Sequence, residues 1–186
     1  MRQRPKRGDD ALPDYMDQDT ACQALTTDRD HLLAAIEADL GGTPPEIHHN
    51  PLRPEPITLT DLVVHVSMWD EIVLAVLTEA QAGRAHWYVD SRWETRDCGR
   101  ALNAGGVAAG RLLPPELVRD RFRTVRDALI AATAAVDPGL WHKDLPFRHS
   151  GEEPQTLAGL CYKVNMPEAD PTQSKVYQHA SVHLGL

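Results

Sequence analysis

The sequence predicts an all-α protein, a four-helix bundle with a partly helical connection between its second and third long helices. Three observations carry that reading. Apolar residues recur at spacings of three and four over four separate stretches, capping signals open or close those stretches, and no alternating apolar pattern of the strand type stands out anywhere. With 186 residues and 42% hydrophobic residues the chain suits one domain with a proper core. Residues 1–18 are charged, carry two prolines and have no apolar period, so they are expected to form a loosely attached or disordered tail ahead of a bundle over residues 19–186.

The first helix is expected from Thr20 to Leu40, on Leu25, Leu32, Leu33, Ile36 and Leu40, with Gly41-Gly42 to stop it. Five prolines between Pro44 and Pro56 then deny regular hydrogen bonding and predict an extended loop, on which His48 and His49 read as exposed. Thr58 and Asp61 match a capping box, in which hydroxyl and carboxylate satisfy each other's backbone amides. The second helix starts there and runs to about Ala82, with an inward stripe of Leu62, His65, Val66, Trp69, Ile72, Val73 and Val76. Asp70 and Glu71 are expected to face outward, since successive residues turn about 100° around a helix.

Trp87, Tyr88 and Trp93 suggest packing in the following connection, while Gly105, Gly106 and Gly110 weaken its helical tendency. Pro114-Pro115 open the third long helix, with a stripe of Val118, Phe122, Val125, Leu129, Ala132 and Val136, ending at Asp137-Pro138-Gly139. The tract from Trp141 to Pro171 has little periodicity apart from TLAGLCYKV. Asp170-Pro171 then predicts the start of a last helix reaching almost to Leu186.

A net charge of −8, with 19 Lys and Arg against 27 Asp and Glu, repels a phosphate backbone and argues against nucleic acid as a partner. No apolar run approaches the ~20 residues of a membrane span, and the basic N-terminus leads into no apolar signal core, so a soluble cytoplasmic protein is expected. Cys22, Cys98 and Cys161 are odd in number and far apart, which indicates neither disulfides nor a thiolate metal site and suggests packing roles. No Gly-rich phosphate loop, GxSxG or Ser-His-Asp pattern is found.

The chemistry concentrates on histidine. His179 and His183 are four apart, so they stack on one face of the last helix, which Val176 and Ala180 mark as the inward one. His65 stands in the apolar seam of another helix. An HxxxH pair with a third imidazole makes an open site for a borderline divalent metal, zinc or nickel before others, or alternatively a cluster of buried core histidines. Trp69 follows His65 by one turn, as a core filler or as a wall for a flat substrate. Tyr177, two residues from His179, does not share its direction and reads as a packing residue.

The segments DLVVHVSMW and YQHASVH resemble the DinB-like superfamily of four-helix bundles, which includes the mycothiol-dependent maleylpyruvate isomerases. That resemblance implies a metal triad of His65, His179 and His183, with mycothiol as a possible cosubstrate. The stretch from Asp97 to Leu129 is similar to the DfsB-like branch, which includes cyclopropane hydrolases that confer colibactin resistance and do not necessarily use a metal. There the resemblance brings Asn103 to the mouth of the cavity, and Asp97 reads as solvated. The resemblance covers about residues 20–186, and NMPEADPTQSK, around residues 165–175, reads as an insertion ahead of the last helix.

The leading expectation is a metal-dependent, thiol-using transferase or isomerase acting on a small electrophile, with His65, Trp69 and Asn103 as catalytic residues. A self-resistance protein that binds or hydrolyses a reactive natural product is the alternative, and a non-catalytic small-molecule binder is a third. A homodimer is implied by the resemblance alone.

Overall fold

The structure, a computed structural model, describes residues 17–42, 47, 57–89, 95–145, 148–149, 153–154, 156–159, 161 and 179–186. Most of the expected tail (residues 1–16), His48-His49, Trp93, Val176, Tyr177, the 165–175 segment and the expected start of the last helix lie outside the described residues. Helix α1 spans Gln18–Leu40 and is opened by Asp17, whose carboxylate accepts from the Thr20 amide at 2.8 Å. Helix α2 spans Leu59–Gln81, and its capping box is complete, since Thr58 N–H donates to Asp61 Oδ2 and Asp61 N–H to Thr58 Oγ1, each at 3.1 Å.

A 3-10 turn, Trp87–Val89, buries Tyr88 and Val89 and leaves Trp87 exposed. Helix α3 then runs continuously over Arg96–Gly110, through the glycines expected to weaken it. Two of those glycines serve close approach: a Cβ at Gly110 would fall on the Val64 methyls, and one at Gly106 on the Met68 thioether. Helix α4 spans Pro115–Ala134, helix α5 is the single turn Pro138–Trp141, and helix α6 covers His179–Leu184. Among the described residues the only strand pairing is a two-residue antiparallel ladder, β1 (Arg148–His149) with β2 (Glu153–Pro154). The fold is an all-α bundle.

Helix α2 is the central element, packed against α1, α3, α4 and α6. It is apolar on nearly every side, as a surrounded helix must be. For that reason the outward expectation fails for Asp70, which lies on an enclosed side of α2, whereas Glu71 does face outward, with its side chain 42% exposed. Asp70 is 0% exposed, and Glu71 is paired with Arg121 through bonds of 2.8 and 2.6 Å. The buried positions are Val118, Phe122, Arg126, Leu129 and Thr133 along α4 and Val136 just past its end. Val125 and Ala132 are only half-buried, because the inward slots expected for them go to Arg126 and Thr133.

The core is divided. One apolar cluster gathers Leu25, Trp69, Val73, Leu77, Leu129 and Trp141, and a second gathers Leu32, Ile36, Val66, Val118, Phe122 and Ala180. By position along the helices, the buried charges fall between them: Asp28 between Leu25 and Leu32, Arg126 between Phe122 and Leu129, Asp70 between Val66 and Val73. No helix among the described residues is long and apolar enough to cross a membrane.

Candidate metal centre

Helix α2 supplies His65 from its inward seam, and α6 supplies His179 and His183 from successive turns of one face. All three offer a ring nitrogen within 4.8 Å of one another. The Nε2 atoms of His65 and His179 are 3.1 Å apart. Ring centroids lie 4.8 Å apart for His65 and His179, 5.6 Å for His65 and His183, and 5.3 Å for His179 and His183.

His179 is the buried member, at 0% exposure, whereas His65 and His183 are partly open. Burial drives its basicity well below the ordinary histidine value of 6.5, and the neighbouring His65, His183 and Arg126 push in the same direction. A cationic imidazolium is therefore disfavoured at that position, and His179 is neutral, the form in which imidazole ligates metals. Its Nδ1 is buried and makes no hydrogen bond. In a protein interior such an atom normally has a partner, so an orphaned ring nitrogen in a cluster of imidazoles fits a site built for a cation. Nitrogen–metal distances of about 2.0–2.1 Å bridge nitrogens up to about 4 Å apart, a reach close to the 4.8 Å within which the three ring nitrogens lie.

Trp69 is buried one turn beyond His65, with its ring edge-on to the His65 imidazole at 6.3 Å and to Tyr88 at 5.9 Å. Its indole Nε1 donates to Asn103 Oδ1 at 3.0 Å, and Asn103 Nδ2 donates to the Gly99 carbonyl at 2.9 Å. Asn103 thus touches the wall of the site through Trp69, and both ends of its amide are engaged. Asp97 is exposed in the first turn of α3.

The cysteines divide. Cys161 is buried and Cys22 half-buried, and in both burial raises the thiol's pKa, which keeps it protonated and unreactive. Cys98 is exposed instead of packed, because it sits in the solvent-facing first turn of α3 with its amide donating to Thr95 Oγ1 at 3.2 Å.

Sequence reasoning passed over the ion network beneath the histidines. Arg126 donates through Nε and Nη2 to both oxygens of Asp70 (2.8 and 3.1 Å), and through Nη1 to Asp28 Oδ2 (2.8 Å) and the Leu25 carbonyl (3.2 Å). All three charged side chains are 0% exposed. Burial raises the Asp70 carboxyl to about 6, against the pull of Arg126. Burial likewise works against the Arg126 charge, but Asp70 and Asp28 outweigh it and hold the guanidinium firmly protonated. The signal for this network was present: three helices each carry a charged residue in a slot of the apolar period.

A helical bundle that gathers three imidazoles from its central and terminal helices, beside a buried ion network, defines a class of bundle proteins with an interior three-histidine site. The chain belongs to the mycothiol maleylpyruvate isomerase N-terminal domain family, a DinB-like family, whose model matches residues 22–160. That match contains His65, Trp69 and Asn103, while His179 and His183 follow it in sequence. No curated protein and no solved structure matches the chain.

Proposed function

We propose that this protein is an enzyme of thiol chemistry, in which His65, His179 and His183 hold a divalent cation and mycothiol serves as cosubstrate against a small electrophile, in a transfer or an isomerisation. The observation that carries this reading is the convergence of the three imidazoles around a neutral, buried His179. Three nitrogen donors suit zinc or nickel and leave room for a further ligand. When bound, such a cation supplies Lewis acidity and lowers the pKa of a thiol or water beside it.

The protein's own groups do the rest. His65 and His183 are partly open and give the site its access, while His179 closes its floor. Trp69 forms one side, held in a single orientation by its bond to Asn103, and offers an apolar surface beside which a small unsaturated substrate can lie.

Metal analysis of the purified protein, repeated on His65→Ala and His183→Ala, tests this reading. Near-stoichiometric zinc or nickel in the unsubstituted protein and its loss from both variants is the expected result. A protein that takes up neither metal and shows no metal-dependent thermal shift sinks the proposal.

A second reading has its own support in the 3.1 Å contact between His65 Nε2 and His179 Nε2, through which two imidazoles can share a proton without any metal. It makes the protein a resistance factor that binds or opens a reactive natural product. Activity of that kind survives chelation, whereas the metal-dependent one does not.

A further inference from the structure

We propose that Asp28 is a positioning residue that places His179 and His183 opposite His65, and that the Asp28–Arg126–Asp70 network couples the helices that carry these histidines. The inference rests on the reading of the three histidines as a metal site and adds to it the device that presets their geometry.

Every oxygen position of Asp28 is in use. Oδ1 accepts from the Ser181 backbone N–H at 2.7 Å and from Ser181 Oγ at 2.8 Å, while Oδ2 accepts from the Ala180 N–H at 3.1 Å and from Arg126 Nη1 at 2.8 Å. Two of these donors are backbone groups of α6 that lie between His179 and His183. A carboxylate bonded to consecutive amides fixes both the position and the rotation of that helical turn, and rotation decides where the two imidazoles point.

The other end of the network is equally constrained. Arg126 grips Asp70 through two parallel bonds, and Asp70 is on α2, five residues beyond His65. The path from one set of ligands to the other is therefore α2, Asp70, Arg126 on α4, Asp28 on α1, then α6, with each link a charge-assisted bond between fully buried groups. A supporting bond is made by His31, whose Nδ1 is 2.9 Å from Ser181 Oγ. With the Ser181 hydroxyl donating to Asp28, the His31 Nδ1 carries the proton and donates to that hydroxyl.

Most apolar cores need no such layer, and two carboxylates around one guanidinium are a costly way to fill space. The layer is spent on orientation: among the described residues of α6, Ala180 is the one fully buried apolar residue, and its neighbour Ser181 is held by Asp28. Ligand sites lose affinity by about 10–100-fold when the groups that orient the ligands are removed, although the ligands themselves remain.

The test compares Asp28→Asn, Ser181→Ala and a control, Leu77→Ala, which removes a buried side chain three turns along α2 from His65. Zinc affinity is measured by chelator competition at a temperature where each variant is folded, and the His65–His179 ring contact is followed by NMR in the metal-free proteins. The expected result is that Asp28→Asn weakens zinc binding at least about tenfold and loses the ring contact, that Ser181→Ala shows a smaller loss of the same kind, and that Leu77→Ala melts earlier but keeps both. Should Asp28→Asn not fold, Ser181→Ala decides the matter against the control. Wild-type affinity with an intact ring contact in the Asp28 or Ser181 variant overturns the positioning role. If the unsubstituted protein binds no zinc or other divalent metal, the metal reading fails, and the ring contact alone judges whether Asp28 sets the histidine geometry.

Discussion

Asp61 ties two functions together in one carboxylate. It completes the cap of α2 and receives two bonds from Arg111, at 2.7 and 2.8 Å. The Arg111 bond, with further help from Thr58, holds its pKa below the ordinary 3.8. Its stabilisation is thus complete above the ordinary carboxylate range and fades as pH falls through the lower folded value. Asp61→Asn is expected to melt earlier than the unsubstituted protein at neutral pH, with the gap narrowing as the medium is acidified below about pH 4; a gap that stays constant with pH would contradict this. Arg126→Met is a harsher change, since it leaves Asp28 and Asp70 buried without their cation, and a loss of about 3–5 kcal/mol in denaturant unfolding is expected. The same residues show where reading the sequence ran short. The HxxxH spacing and a histidine inside an apolar seam are local signals, and they were enough to single out His65, His179 and His183. Arg126, Asp28 and Asp70 each stand in a slot of the apolar period of their own helix, but only their mutual burial shows that they pair.

At the level of elements, α2 and α4 were legible because their ends carry explicit chemistry, the Thr58 and Asp61 box and the Pro114-Pro115 start. The outward assignment holds for Glu71 and fails for Asp70, because α2 buries more than one stripe against its neighbours. Helix α3 was half-legible, since glycine lowers helix propensity whatever its reason for being there. Its glycines make opposite predictions that separate propensity from packing. Gly105 has open space around it, so Gly105→Ala is expected to stabilise the protein by about 0.5–1 kcal/mol. Gly110 abuts Val64, so Gly110→Ala is expected to destabilise it by about 1–3 kcal/mol, as overpacked sites do. Equal melting temperatures for the two variants would mean that α2 and α3 are not in close contact at Gly110.

Across the whole molecule, binding an ion at the α2–α6 junction joins the central helix to the last one. The folded state alone assembles the site, so zinc at a hundred times its Kd is expected to add about 2.7 kcal/mol of stability. For a domain of this size that amounts to a rise of roughly 5–11 °C in melting temperature. The rise should vanish in His183→Ala, as a thermal melt with and without zinc would show. Charge balance gives the buried layer one more consequence. Two carboxylates against one guanidinium leave a formal −1 in the interior, and imidazoles that ligate in their neutral form would add nothing to it. A divalent ion among them would bring the ensemble to +1, one unit above neutrality. The most favourable incoming group is then a single anion, and a second would overshoot. On the proposed reading, this count favours a monoanionic ligand, such as one thiolate, over a dianion, before any part of the ligand's shape is read.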